Sequence, residues 1–259
     1  MSGVLNLTAA ADVILRTRGL GLDYGRFRAV GAIDLDLRAH TVHALIGANG
    51  AGKTSLFNLI SGRLRPSRGT LEFQDRDITH SPAHARARLG MARSFQVTSL
   101  FPQSTVLHNL RIAALAVKPA RSLEFWRTWS NEVQHLSAAE EVLEELALTA
   151  HAHTPVGMLA NGVQRVLEIG MCLVSKPKLL LFDEPLAGLG LGDVPRVTRL
   201  LRELRSRYTV LLVEHNMNAV MSISDRITVM FQGDVIADGT PREISQDPKV
   251  RQVYLGKNA

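Results

Sequence analysis

Eight residues constrain this chain more than any other stretch. Gly47-Ala48-Asn49-Gly50-Ala51-Gly52-Lys53-Thr54 follows an apolar, strand-like run at 42–46 and leads through Ser55 into a helix-like segment at 55–60. Glycines in the pattern G-x-x-x-x-G-K-[ST] let the backbone wrap closely, so that successive N–H groups point into a bound triphosphate. The helix that follows adds its positive N-terminal end. Lys53 is spaced to bridge the outer phosphates, and the Thr54 hydroxyl to ligate Mg²⁺. A strand before such a loop and a helix after it are the setting this chemistry requires.

The rest of the chain agrees with an α/β core. Residues 33–38 and 70–74 alternate apolar and polar at period two, the mark of half-buried strands. The middle reads as helical at 106–117, 125–133 and 138–148, the last opening on Ser137-Ala138-Ala139-Glu140, a capping-box pattern. In the final third, apolar runs at 179–182 and 209–213 flank an arginine-rich amphipathic helix at 195–207. Residues 226–231, 232–234 and 235–237 read as a hairpin, and Thr240-Pro241-Arg242-Glu243 as a capped helix start. Buried strands alternating with helices predict a parallel sheet, with the early alternating strands as an antiparallel layer on it. We expect one domain over 1–259: residues 1–95 and 171–259 form the core with its antiparallel layer, and 96–170 a helical subdomain.

A second chemical element is Leu179-Leu180-Leu181-Phe182-Asp183-Glu184. A buried strand ending in two carboxylates is unfavourable unless something cationic meets them. Beside a phosphate loop, Asp183 is suited to the Mg²⁺ and Glu184 to polarise an attacking water as general base. His215 follows the 209–213 run. A histidine there is structural or exposed in most proteins, but at the carboxyl edge of a parallel sheet it faces the ligand crevice. Gln96, after Arg93-Ser94-Phe95, says nothing by itself. Gly188-Leu189-Gly190-Leu191-Gly192 imitates a dinucleotide fingerprint but lacks its final spacing and follows the acidic strand, so it reads as a loop. His151 and His153 show no metal-ligand pattern, with Cys172 the single cysteine of the chain.

Composition removes several other classes. The 259 residues are 46% hydrophobic, too apolar for disorder, and no apolar run approaches the roughly 18–20 residues of a membrane span. The first positive charge is Arg16, so the start lacks a basic leader, and the chain reads as soluble and cytosolic. One cysteine permits no internal disulfide. The net charge of +6 comes from 24 arginines and 6 lysines. Such a balance invites nucleic acid or an anionic surface as partner, but charge of this size is more simply read as keeping a domain soluble. The arginine clusters at Arg63, Arg65, Arg68 and at Arg86, Arg88, Arg93 have few aromatics among them, which argues against a base-stacking platform.

The order of these elements resembles the nucleotide-binding subunit of ABC transporters over essentially the whole chain. The resemblance implies a P-loop NTPase fold that binds ATP and Mg²⁺ and hydrolyses the nucleotide. Tyr24 is similar to the aromatic that stacks on adenine in that family. Gln96 is similar to its metal- and water-contacting glutamine, which lies near the membrane partner. Ala92-Arg93-Ser94-Phe95-Gln96, Leu100-Phe101-Pro102, Thr105-Val106-Leu107, Phe125-Trp126-Arg127, Leu167-Glu168-Ile169, Val213-Glu214-His215-Asn216-Met217 and Val253-Tyr254-Leu255-Gly256 resemble the branched-chain amino-acid importers. That branch implies two permease subunits, a periplasmic solute-binding protein and a second similar ATPase. It also implies a peripheral place on the cytoplasmic face of the inner membrane, and no nucleic acid.

The family signature, Leu-Ser-Gly-Gly-Gln, reads Leu159-Ala160-Asn161-Gly162-Val163 here. The resemblance implies that this segment completes the partner's ATP site. A serine hydroxyl is missing at Ala160, and a polar side chain is missing at Gly190. We therefore expect the partner to be a paralogue rather than a second copy, and the site this signature completes to be slower. One lost phosphate contact is worth about 1–3 kcal/mol, roughly 5–150-fold. Backbone N–H groups carrying the contact unaided is the alternative. Two rival functions remain, a lipid or lipopolysaccharide exporter ATPase and a non-transport ATPase acting on nucleic acid.

Overall fold

The computed structural model describes residues 13–94, 100–116 and 128–255. The chain begins as β1 (Val13–Tyr24), β2 (Phe27–Arg38) and β3 (Val42–Gly47), enters helix α1 (Lys53–Ser61), and continues through β4 (Arg68–Phe73), β5 (Arg76–Asp77), α2 (Ala83–Arg88) and β6 (Met91–Arg93). Helices α3 (Val106–Ala116), α4 (Thr128–Glu145) and α5 (Asn161–Leu173) come next. The last third is β7 (Leu179–Asp183), α6 (Val194–Glu203), β8 (Thr209–Val213), α7 (Met217–Ile223), β9 (Arg226–Phe231), β10 (Asp234–Gly239), α8 (Pro241–Gln246) and α9 (Pro248–Leu255).

Two sheets result. One is antiparallel in the order β2-β1-β4-β5; the other runs β10-β9-β3-β8-β7-β6, parallel except for β10 at its edge. Every residue of β3, β7 and β8 is buried, as unbroken apolar runs require of strands covered on both faces. Their alternation sorts the interior. Val42, Ala44, Ile46, Leu180, Phe182, Val210 and Leu212 pack with helices α3–α5 on one face. Leu45, Leu179, Leu181, Leu211 and Val213 pack with α1 and the antiparallel sheet on the other. The carboxyl ends of β3, β8 and β7 therefore lie side by side, which is where a parallel sheet presents its ligand crevice.

Local motifs and packing disagree in one place. The segments read as separate helices at 125–133 and 138–148 form one helix over their described part, and Ser137 sits exposed inside it instead of capping it. Ala139, Val142 and Leu143 on one face of α4, with Leu146 just past its end, bury against α3 and α5, so continuing the helix is worth more than one cap. The helix ends where Ala147 turns to φ +52°. At Thr240 the capping box does form, with Thr240 Oγ1 accepting from the Glu243 amide at 3.3 Å and Glu243 Oε2 from the Thr240 amide at 2.7 Å.

One buried cation stiffens the base of α1. Arg86, fully buried on α2, donates to the carbonyls of Leu59 and Ile60 at 2.6 and 2.7 Å, and to those of Ser81, Ile78 and Thr79. Burial, with no acidic partner among the described residues, lowers its pKa to about 10.

Candidate nucleotide-binding site

The phosphate loop joins β3 to α1 and is held from above by a hairpin. A Cβ at Gly47 would collide with the Met230 carbonyl, and one at Gly52 (φ +95°) would lie 2.6 Å from the Ala29 carbonyl. The two-residue turn at Gln232 and Gly233, φ +49° and +89°, brings the Gly233 amide to the Ala51 carbonyl at 3.0 Å, while Gly31 donates to the Gly233 carbonyl at 2.7 Å. A cavity of about 710 Å³ opens here. It is lined by the loop from Asn49 through Gly50, Ala51, Gly52, Lys53 and Thr54 to Ser55, by Phe27, Arg28 and Ala29 of β2, by Glu184, and by Gln232 and Gly233. Lys53 Nζ folds back onto the Gly47 and Ala48 carbonyls at 2.8 and 3.0 Å. Burial lowers its pKa, and the nearby Glu184 and Asp183 oppose that shift.

Sequence reading missed the β2 and hairpin walls of this cavity. Phe27, Arg28 and Ala29 come from before the loop and Gln232 and Gly233 from the far end of the chain, and neither segment carries a nucleotide motif. Tyr24 stands opposite Phe27 where β1 turns into β2. Tyr24 is 52% exposed and is not among the lining residues; Phe27, 66% exposed, is.

Of the acidic pair, Glu184 lines the cavity, while Asp183 and His215 are not among its lining residues. Asp183 is buried with Arg93 Nη2 3.4 Å away. Arg93, from edge strand β6, also donates to Asn58 Oδ1 at 2.7 Å and Ser61 Oγ at 2.6 Å, and lies 4.6 Å over the Phe57 ring. Burial raises the Asp183 pKa and the Arg93 guanidinium works against that rise. Glu184 sits in the left-handed region at φ +50°, held by its amide to the Val213 carbonyl at 2.9 Å. His215 Nδ1 is 3.6 Å from Glu184 Oε1, the histidine about two-thirds and the glutamate about half exposed. Thr54 is exposed at the start of α1. An exposed hydroxyl and a buried carboxylate, with its nearest guanidinium at 3.4 Å, are hard oxygen donors of the kind that suits a small divalent cation. Gln96 lies outside the described residues.

The signature segment sits elsewhere. Leu159, Ala160, Asn161, Gly162 and Val163 are not among the residues lining the cavity. Ala160 is the N-cap of α5 and offers no side-chain acceptor; its carbonyl takes the amides of Val163 and Gln164. A Cβ at Gly162 would meet the Asp193 carboxylate, the mobile end of a side chain on the loop leading into α6, so any larger residue there would displace it. Arg165 Nη2 donates to the Ala187 carbonyl at 3.0 Å, fastening α5 to the same loop. The glycines at 188, 190 and 192 lie in that loop, between β7 and α6, with Gly188 at φ +74°. Among the described residues no cluster of three or more His, Cys, Asp or Glu is arranged to hold a metal.

A phosphate loop, a buried acidic strand end and a histidine on adjacent parallel strands define a P-loop ATPase with an antiparallel layer and a helical insertion. The family model for ABC transporters matches residues 30–187, and the model for the branched-chain amino acid ATP-binding cassette transporter matches 235–259. The chain is 39% identical over 253 residues to the high-affinity branched-chain amino acid transport ATP-binding protein LivG of Salmonella typhimurium, covering 94% of this chain and 98% of that one. It is 39% identical to BraF of Pseudomonas aeruginosa, at 94% and 98% coverage. Against the lipopolysaccharide export system ATP-binding protein LptB of Acidithiobacillus ferridurans the identity is 36%, at 94% and 97% coverage. The crystal structure of the ADP conformation of an ATP-binding cassette from an ABC transporter superposes with a TM-score of 0.84 at 32% identity, over 94% of this chain and 99% of the other.

The chain belongs to the ABC transporter family, on its branched-chain amino-acid branch, and is a nucleotide-binding ATPase subunit. No helix among the described residues is long and apolar enough to cross a membrane.

Proposed function

We propose that this subunit hydrolyses ATP to drive import of branched-chain or related amino-acid-like solutes through partner permeases. Lys53, Asp183, Glu184 and His215 converge at the ends of β3, β7 and β8, and this convergence carries the reading. The loop amides and the start of α1 bind the outer phosphates, displacing Lys53 from its own loop carbonyls onto the nucleotide. Tyr24 and Phe27, at the rim, offer aromatic faces for the base. Mg²⁺, held by Thr54 and Asp183 with Gln96, would neutralise charge on the outer phosphates. Glu184, on a turn that aims it into the cavity, takes the proton of the attacking water. His215 keeps Glu184 in place and reaches toward the terminal phosphate.

The second ATPase is proposed to be a paralogue that lends its own signature to this phosphate loop. In return the 96–170 helical unit presents Ala160 to the paralogue's nucleotide. Two permeases and a periplasmic binding protein complete the assembly, with this subunit on the cytoplasmic face of the inner membrane. Replacing Glu184→Gln in the assembled transporter should leave ATP binding intact and lower turnover by about 100-fold or more; turnover within a fewfold of the parent removes Glu184 from the base role. The similarity to LptB supports a lipid-export reading as the rival. Purification from membranes separates the two: permeases with a solute-binding protein support import, and membrane-bridging components support export.

A further inference from the structure

Glu214 is a buried carboxylate that the mechanism above does not use. It lies one residue beyond β8 and is 1% exposed, and among the described residues no cation pairs with it. Backbone amides from two loops satisfy it. Oε1 accepts from the Leu186 amide at 2.8 Å, and Oε2 accepts from the His215 and Asn216 amides at 3.1 and 3.4 Å. One side chain therefore ties the turn that follows Glu184 to the backbone that carries His215. Burying a lone carboxylate is unfavourable unless its hydrogen bonds are complete, and here they are completed by the loops that must hold the catalytic groups.

The tether acts where the backbone is most in need of one. Glu184 occupies the left-handed region, sparsely populated for a non-glycine residue, and stays there only if the surroundings fix it. Its own amide is bound by the Val213 carbonyl and its carbonyl by the Ala187 amide at 3.0 Å. Leu186, the residue between, has its amide bound by Glu214. Of the bonds that hold this turn, the one from Leu186 is made by the side chain that also takes the amides of His215 and Asn216, whose backbone carries the group 3.6 Å from Glu184.

We propose that Glu214 is a positioning residue that locks the Glu184 turn and the His215 loop into one rigid unit. The proposal rests on Glu184 acting in hydrolysis, and the test separates the two. In the assembled transporter, Glu214→Gln keeps the length of the side chain but places a donor against one set of amides. It should lower kcat by about 10–100-fold, with KM for ATP and the affinity for a non-hydrolysable ATP analogue within twofold of the parent. Glu214→Asp, too short to span both loops, should do the same. Glu184→Gln is measured alongside, with thermal melting of each purified variant. If both Glu214 variants keep kcat within twofold, or if KM rises as far as kcat falls, Glu214 does not position the catalytic pair. If Glu184→Gln itself retains turnover, the hydrolytic reading fails first, and a kcat loss at Glu214 must act through another group.

Discussion

The phosphate-loop end and the signature end of this subunit are built by opposite means. At the first, the groups sit on strand ends whose backbones are fixed on several sides: the Gly233 turn over the loop, Val213 behind Glu184, and Glu214 across two loops. At the second, the groups are the first residues of one helix, with an alanine at its cap and a neighbouring carboxylate at Gly162. Lys53, Asp183, Glu184 and His215 bring side chains to the first end, while the start of α5 presents backbone amides and an alanine at the second. In the proposed assembly, where each nucleotide meets one end of each kind, such a subunit would give more to its own site than to its partner's.

The contrast breaks most directly at Lys53. Lys53→Ala should weaken ATP binding by about 2–3 kcal/mol, roughly 30–150-fold, because a charged donor to phosphate is lost. Equilibrium binding of labelled nucleotide measures it, and unchanged affinity together with intact solute uptake would overturn the assignment. The rigidity claimed for that end is tested at His43, fully buried on β3 four residues before the loop. Its Nε2 lies 2.7 Å from Thr228 Oγ1. Burial lowers its pKa from 6.5 to about 4, with Asp238 opposing and Arg226 adding to the shift. The unfolded chain thus takes up this proton first. Stability contributed by neutral His43 is complete above about pH 6.5 and is lost as the pH falls toward 4, by roughly 3 kcal/mol. Denaturant melts of His43→Gln against the parent between those pH values should show the parent losing more.

The smallest effect belongs to the weak end. Ala160→Ser supplies an acceptor for the Val163 amide and should stabilise the subunit by about 1 kcal/mol, raising Tm by about 2–4 °C. In the assembled transporter it should also raise ATPase turnover, roughly fivefold for a phosphate contact of that size. Unchanged turnover would mean that the backbone donors of α5 suffice and that the two ends differ in form alone.

What could be read from the chain follows the same division. The loop from Gly47 to Thr54 and the run into Asp183 and Glu184 declare themselves because their chemistry is contiguous and their strands are unbroken apolar runs. β1 escaped notice: Gly19 and Gly21 interrupt its alternation and its pairing shifts register several times. The Ser137 pattern misled, because a local cap cannot outweigh an apolar face shared with two other helices. Arg93 and Glu214 were invisible for a different reason. An arginine or a glutamate means nothing until the fold delivers its partner, and here the partners stand 90 and 28 positions away.

The Arg86 guanidinium has an electrical consequence for ligand capture. A short helix has a positive and a negative pole, and across nine residues the two fields partly offset each other. Here a permanent interior cation sits on the negative pole, out of reach of dissolved ions. The negative pole is thereby offset inside the protein, and the positive pole at the crevice, beside Lys53 and opposite Glu184, is left with less to oppose it. Added salt spares the buried contact and screens the exposed pole.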